Sequence, residues 1–136
     1  MIELTFANIR DHGFQTGIGK LSSCDKFDPK LAYTIGRIKS KIETEAKVAH
    51  ELFVKMVKAN GDLDEATGQF KIKEENQEKW KKEVQEFSEI KFTIEKHKLN
   101  VADLTGVQLT PNEVMALEPI LFGLEVLEGG KNGENN

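Results

Sequence analysis

The sequence predicts an α+β fold that is mainly helical: a long antiparallel helical hairpin with a small antiparallel sheet at its base and a C-terminal helix. Three observations predict it. A heptad pattern begins at Pro29, a glycine-bracketed interruption follows at residues 60–72, and short alternating segments lie before and after this region. Because 136 residues suffice for one hydrophobic core, we expect a single domain over residues 1–127 and a flexible tail over residues 128–136.

The N-terminal segment combines a strand with a stretch of mixed pattern. Ile2, Leu4 and Phe6 alternate with more polar positions, which predicts a strand over these residues with one buried face. Residues 8–24 carry apolar side chains at rough helical spacing, but each glycine among them weakens a helix by up to about 1 kcal/mol. We therefore expect either a short, imperfect helix or an ordered loop. The apolar residues are Ile9, Phe14, Ile18 and Leu21, and the glycines are Gly13, Gly17 and Gly19.

A long amphipathic helix begins at Pro29. Asp28 is suited to accept hydrogen bonds from the first free amides, and proline suits the first helical position. The apolar seam is interrupted by Glu45. We expect this residue either to pair with a lysine of the second helix, fixing the register, or to mark the place where a partner enters. The seam consists of Leu31, Ile35, Ile38, Ile42, Glu45, Ala49, Leu52 and Met56.

The long helix is followed by a short tip and a second helix. Gly61 is expected to end the first helix in the left-handed conformation. The segment from Asn60 to Ile72 is bracketed by glycines, and Phe70 and Ile72 alternate with polar residues, which predicts a β-turn or small hairpin. Glutamates crowd the start of the second helix, where they favour the helix dipole. Its apolar face consists of Trp80, Val84, Phe87 and Ile90.

The C-terminal third is expected to return to the sheet and then form a last helix. The alternation from Ile90 to Ile94 predicts a strand that pairs with the N-terminal strand, because both have one apolar face. Val107 and Leu109 suggest a third short strand. Thr110 to Glu113 form a capping box with proline at the first helical position. The helix that follows would bury Val114, Leu117, Leu121 and Leu124, with a kink or restart at Pro119.

Composition and charge bear on several classes of partner. The net charge of −4 makes nucleic acid an unlikely partner, although a local basic patch stays open. Cys24 is the single cysteine, so no internal disulfide can form. The segment Met1–Phe6 lacks the features of a signal peptide, and the chain has no run of about 20 apolar residues that would span a membrane. We therefore expect a cytoplasmic protein.

The motifs tested for chemistry do not fit. The run from Gly13 to Ser22 superficially resembles a phosphate-binding loop, but it has five residues between the glycines and Leu21 directly after the lysine. His12, His50 and His97 have no second ligand at metal-binding spacing. We predict no catalytic residues, no cofactor, no metal and no enzymatic activity.

The order of these segments resembles that of the short uncharacterised helical-hairpin proteins of tailed bacteriophages. The matching features are the tip through Ile72, the run Lys73-Glu74-Glu75-Asn76 that follows it, and the stretch 94–104 before the final helix. The resemblance covers residues 28–125. It implies a phage-encoded protein in the cytoplasm of the host cell or in the virion, and it carries no catalytic residues over to this chain.

The function expected from these features is interaction with another protein or self-association. We predict a non-enzymatic assembly protein with a chaperone-like or connector-like role in virion morphogenesis. The candidate partner-binding residues are Glu45, Leu63, Phe70 and Ile72. The alternative is a host-interference protein that inhibits a host enzyme or sequesters a nucleotide signal. The nucleotide would be held by the amides and lysine of residues 17–20, so a small-molecule ligand stays open.

Overall fold

The computed structural model describes residues 1–124, and within them the predicted fold class, α+β and mainly helical, is confirmed. The predicted tail, 128–136, lies outside the described residues. The helices are α1 (Phe6–Arg10), α2 (His12–Ser23), α3 (Pro29–Asn60), α4 (Gln77–Ser88) and α5 (Pro111–Leu117). The strands are β1 (Ile2–Thr5), β2 (Gly61–Leu63), β3 (Phe70–Ile72), β4 (Lys91–Ile94), β5 (Leu99–Asn100) and β6 (Leu121–Phe122).

The predicted pairing of the N-terminal strand with the strand after the second helix is confirmed. β1 and β4 are antiparallel, with Leu4 opposite Phe92. β1 is one residue shorter than predicted because Thr5 forms a capping box with Asn8 and starts α1. Phe6 is consequently the first residue of a helix, and its ring lies 5.2 Å from that of Phe87.

Most of residues 8–24 is helical, in the end of α1 and in α2, so the helix alternative is correct and the loop alternative is wrong. The Asp11 carboxylate accepts a hydrogen bond from the Phe14 amide at 3.1 Å and starts α2 directly after α1. Phe14, Ile18 and Leu21 are buried in the core. The glycines are tolerated because the buried face of α2 gains this apolar packing and because one of them, Gly17, permits close approach of another helix.

The long helix α3 begins as predicted, with the Asp28 carboxylate accepting from the Leu31 amide at 2.8 Å. At 32 residues it is about 48 Å long, whereas the 12 residues of α4 extend only about 18 Å. α4 therefore cannot cover the whole seam. In the N-terminal half of α3 the seam residues Ile35, Ile38 and Ile42 are buried in the main core, and α3 contacts α1, α2 and β4 as well as α4.

The C-terminal third departs from the prediction. Val107 and Leu109 form no strand; they pack half-buried against the core, and the additional pairing is instead between β5 and β6, which are parallel. α5 has its predicted capping box but ends at Leu117. Pro119 lies in a 3-10 helix, Glu118–Ile120, and Leu121 then enters β6 instead of the predicted helix. Proline lacks the amide that would continue the helical ladder, which accounts for the ending.

Candidate functional site

The tip between α3 and α4 is an antiparallel β-hairpin, as predicted. Leu63 lies opposite Phe70, and Gly61 opposite Ile72. The expected left-handed conformation of Gly61 is wrong, because its φ of −171° is extended. The position requires glycine for a different reason. A Cβ here would overlap the carbonyl oxygen of Lys71 and lie 2.8 Å from the Cα of Ile72.

The three candidate residues of the tip differ in exposure. The ring of Phe70 is partly exposed and lies 5.7 Å from Phe53 and 5.7 Å from Trp80, which confirms that Trp80 belongs to the seam. Leu63 is half-buried and Ile72 is buried. Of the three, Phe70 presents the most apolar surface to a partner, and the side chain of Ile72 faces the interior.

Asn60 is a tertiary link that the sequence pattern did not reveal. It is fully buried at the end of α3, where its amide donates to the Met56 carbonyl at 2.8 Å and to the Glu83 carboxylate at 2.9 Å. Its backbone carbonyl accepts a hydrogen bond from the side-chain amide of Asn76 at 3.1 Å. The residue therefore joins the end of α3 to α4 and to the segment before α4.

Glu45 lies half-buried on the seam, as expected, but its pairing differs from the prediction. Its carboxylate is 3.2 Å from the ammonium of Lys41, one turn earlier in the same helix. The interhelical pair with a lysine of α4 is not formed in the described structure. Glu45 therefore does not set the register of α4, and its side chain, 21% exposed, is accessible in part to a partner.

An apolar surface remains where α4 stops covering α3. Val48, Leu52 and Ile90 are 43%, 37% and 41% exposed. Met56 is half-buried beside them, and a shallow cleft is lined by Leu52, Met56, Ile90 and the carboxylates of Glu83 and Glu86. We call Val48, Leu52, Met56 and Ile90 the α3–α4 patch.

A partly buried ion pair joins α2 to α5. The ammonium of Lys20 lies 2.6 Å from Glu113 Oε1, and the same carboxylate oxygen accepts from the Thr110 amide at 2.8 Å. Lys20 and, second, the Thr110 amide lower the pKa of Glu113 from 4.5 to about 2. The Lys20 ammonium and the Thr110 amide therefore favour the ionised carboxylate of Glu113. The ion pair links residues that are 93 positions apart in the sequence.

The glycine segment does not form a phosphate-binding loop. Residues 17–20 lie inside α2, where the amides belong to the helical ladder. The Lys20 ammonium is engaged by Glu113 and also donates to the Gln108 carbonyl at 3.3 Å. The face of Gly17 is covered by Leu117, whose Cδ1 would lie 2.7 Å from an added Cβ. The geometry assumed for nucleotide sequestration is therefore absent from this segment.

Across residues 1–124, no three His, Cys, Asp or Glu side chains are grouped so that they could hold a metal ion. His12, His50 and His97 are exposed and lie on separate elements. None of the described helices combines the length and hydropathy needed to cross a bilayer.

Comparisons with protein-family models, with curated proteins and with solved structures found no match to this chain.

Proposed function

We propose that the protein is a non-enzymatic interaction protein of the tailed-phage type that associates with a second copy of itself through the α3–α4 patch. The observation that carries the proposal is the exposure of Val48, Leu52 and Ile90 at the point where α4 ends. A side chain of this size contributes about 1.5–3 kcal/mol when it passes from full exposure to full burial. Because these three are already partly covered, each contributes a fraction of that amount on association.

In this proposal residues 45–60 of α3, the tip and α4 form the predicted antiparallel helical hairpin, and the seam of α3 continues beyond the end of α4. Packing of Phe53 against Trp80 and Phe87, at centroid distances of 5.6 and 5.8 Å, supports the alignment of the two arms. The hydrogen bond from Asn60 to Glu83 supports it at the tip end. A second molecule would extend the same seam.

The charge pattern of α3 favours an antiparallel pairing of two α3 helices. With a two-fold axis near His50, Val48 of one molecule faces Leu52 of the other. Glu45 faces Lys55 of the other molecule in the same arrangement, since both are five residues from the axis. The helical period places Glu45, Val48, Leu52 and Lys55 on one side of α3. This pairing gives Glu45 the partner-contacting role that its interruption of the seam suggested.

Light scattering coupled to size-exclusion chromatography tests the association. We expect a dimer at micromolar concentration, and Leu52→Ser should shift the population to monomer while retaining the helical circular dichroism. Val54→Ser, a half-buried position on a different side of α3, is the comparison for a loss of apolar surface alone. A wild-type protein that remains a strict monomer over the whole concentration range would contradict self-association.

A charge exchange tests the antiparallel register. Glu45→Lys should weaken the dimer, because the introduced ammonium would face the ammonium of Lys55 in the other molecule. Lys55→Glu should weaken it by placing two carboxylates together. The double variant Glu45→Lys with Lys55→Glu should recover the dimer. If the double variant is as weak as the sum of the single variants, this register is wrong.

Within this proposal the association serves phage assembly, in a chaperone-like or connector-like role. The resemblance to short phage proteins supports this part. The position of the gene tests it: a location among head and tail genes agrees with assembly, whereas a location among early genes favours interference with a host protein.

A further inference from the structure

Six of the nineteen Lys and Arg residues of this acidic chain line one groove. It runs between the N-terminal half of α3 and the segment that follows β4, and two adjoining depressions that share Glu95 and Lys96 form its floor. Three acidic residues line it, namely Asp28, Glu95 and Asp103, so the lining has a formal charge of +3 in a chain of net charge −4. The six cations of this basic groove are Lys26, Lys30, Arg37, Lys41, Lys96 and Lys98.

The fold explains why these cations meet. Lys30, Arg37 and Lys41 are spaced by seven and four residues and therefore share one side of α3. The pairing of β4 with β1 holds the turn that carries Lys96 and Lys98 beside α3, and the Lys96 amide donates to the Ile94 carbonyl at 2.8 Å. The N-terminus of α3 adds the positive end of a long helix dipole to the same region.

Most of this charge is free to act on a ligand. Within the described residues, five of the six cations have no carboxylate within ion-pair distance; the sixth, Lys41, is paired with Glu45 at 3.2 Å. One of the three acidic side chains is also committed, because the Asp28 carboxylate caps α3. Setting aside Lys41 and Asp28 leaves five cations and two carboxylates in the lining, so the groove carries a net positive potential.

Exposed aromatic rings accompany the cations. Tyr33 is 63% exposed on α3, and the ammonium of Lys96 lies 5.6 Å from its ring centroid. Tyr33 is therefore next to the groove through Lys96, whereas Phe122, which is 49% exposed, lines the groove itself. Cations interleaved with exposed rings are the two components of surfaces that bind single-stranded nucleic acid, where phosphates meet Lys and Arg and bases stack on aromatic faces.

We propose that the basic groove binds single-stranded nucleic acid, with its cations on the phosphates and Tyr33 and Phe122 as stacking platforms. A duplex keeps its bases stacked inside and would leave these rings unused, which favours a single strand. Lys30 and Lys41 are about 16 Å apart along α3, a distance that spans a few nucleotides. The expectation that nucleic acid is an unlikely partner rested on net charge, which averages this groove with the acidic remainder of the chain.

Fluorescence anisotropy with a labelled oligothymidylate longer than the groove measures the binding. We expect affinity that falls as salt rises, with a slope of log K against log salt of about −3 if about four phosphates are neutralised. A duplex of the same length should bind more weakly. Absence of binding to oligothymidylate at the lowest salt would overturn the proposal.

Charge reversal locates the binding. The variant Lys30→Glu, Arg37→Glu, Lys96→Glu should weaken binding by about tenfold or more, because three phosphate contacts become repulsive. The matched control is Lys47→Glu, Lys71→Glu, Lys82→Glu, which changes the net charge equally at exposed positions outside the groove. It should alter affinity by about twofold or less. An equal loss in both variants would overturn the assignment, and thermal melts of both variants verify that each is folded.

Substitution of Tyr33 separates nucleic acid from an acidic protein segment. Tyr33→Leu removes the aromatic face and should weaken oligothymidylate binding by about tenfold, whereas Tyr33→Phe should retain it. A polyglutamate peptide serves as the competing anion. If polyglutamate binds as tightly as oligothymidylate and Tyr33→Leu has no effect on either, the groove is a site for acidic protein and the proposal fails.

Discussion

The two halves of α3 follow one heptad pattern and have different surroundings. In the inner half, residues 29–44, the seam side chains Ile35, Ile38 and Ile42 are buried. In the outer half, residues 45–60, Leu52 of the same seam and Val48 beside it keep more than a third of their surface exposed. The sequence pattern therefore identifies which face is apolar but does not determine how fully that face is covered.

The difference comes from what packs against each half. The main core that surrounds the inner half draws on α1, α2, α5 and the β1–β4 sheet. The outer half contributes Ala49 to the same core, and the ring centroid of its Phe53 lies 4.3 Å from the Arg10 guanidinium of α1, but the cleft beside Leu52 is lined by α4 and Ile90. Burial by several elements makes the inner half a source of stability. The short α4 leaves Val48 and Leu52 of the outer half partly exposed. In the proposed dimer this exposed side would form the contact between molecules, whereas the inner half contributes to stability.

The largest expected effect comes from truncating the inner seam. Ile38→Ala should lower the free energy of unfolding by about 2–5 kcal/mol, because the side chain is fully buried and leaves a cavity. Leu52→Ala, in the outer half, should cost less than about 1 kcal/mol, since its side chain retains contact with water. Denaturant unfolding followed by circular dichroism measures both, at a protein concentration low enough to avoid association. Comparable losses of unfolding free energy in the two variants would show that the two halves of α3 contribute equally to stability.

The next largest effect on stability is expected from Gly61 at the tip, next to the outer half of α3. In Gly61→Ala the new methyl group would overlap the Lys71 carbonyl, a backbone atom that cannot rotate away, so we expect a loss of about 2–3 kcal/mol. Hydrogen exchange should show faster exchange at the Asp64 and Lys73 amides, which bond across the tip. Gly36→Ala is the control: it lies in α3, an added methyl meets nothing within 4 Å, and it should be neutral or stabilising. Unchanged exchange in Gly61→Ala would show that the hairpin adjusts without cost.

The sequence predicted those features of the fold that depend on residues close together in the chain or on a clear apolar period. Local signals worked: Asp28 and Pro29 start α3, and Thr110 starts α5, because a cap involves residues three or four apart. Pairing between β1 and β4 was also accessible, since each has one apolar face. The two-residue pairing of β5 with β6 was not, because strands that short carry no period of their own.

The candidate sites show the same limit. The link between Lys20 and Glu113 joins residues 93 positions apart; the sequence predicts Glu113 as a capping-box residue, but no local pattern connects it with Lys20. Phe70 could be named from its place in the tip, yet the α3–α4 patch could not, because its exposure depends on where α4 ends. The basic groove was hidden by net charge, which sums over residues that the fold separates.

Substitutions of two glycines in α2 test how closely α5 packs against α2. Gly17→Ala would bring a methyl group to 2.7 Å from Leu117 Cδ1, and overpacking of about 1–3 kcal/mol should exceed the gain in helix propensity. The net loss should be about 1–2 kcal/mol, smaller than at Gly61 because a side chain can move. Gly19→Ala meets nothing within 4 Å and should stabilise by about 0.5–1 kcal/mol. Thermal melts should show a lower melting temperature for Gly17→Ala and a higher one for Gly19→Ala. Equal stabilisation by both would mean that the packing of α5 does not depend on the close contact between Gly17 and Leu117.

The last expected effect is a pH dependence of stability at the contact between α2 and α5. Lys20 and the Thr110 amide lower the pKa of Glu113 to about 2, so the unfolded chain, with a pKa of 4.5, binds the proton more readily. The stabilisation from the ionised carboxylate is complete above about pH 4.5 and is lost as pH falls toward about 2. Glu113→Gln keeps the capping-box hydrogen bond but has no titrating group, so its stability should fall less steeply with acid over this range.

Glu118→Gln is the matched control, since Glu118 is exposed directly after the end of α5 and has no ion pair among the described residues. Its slope of unfolding free energy against pH should follow that of the wild type. If Glu113→Gln and the wild type lose stability equally between pH 4.5 and about 2, the contact with Lys20 does not persist in solution. Apolar packing, and not this ion pair, would then hold α5 against α2.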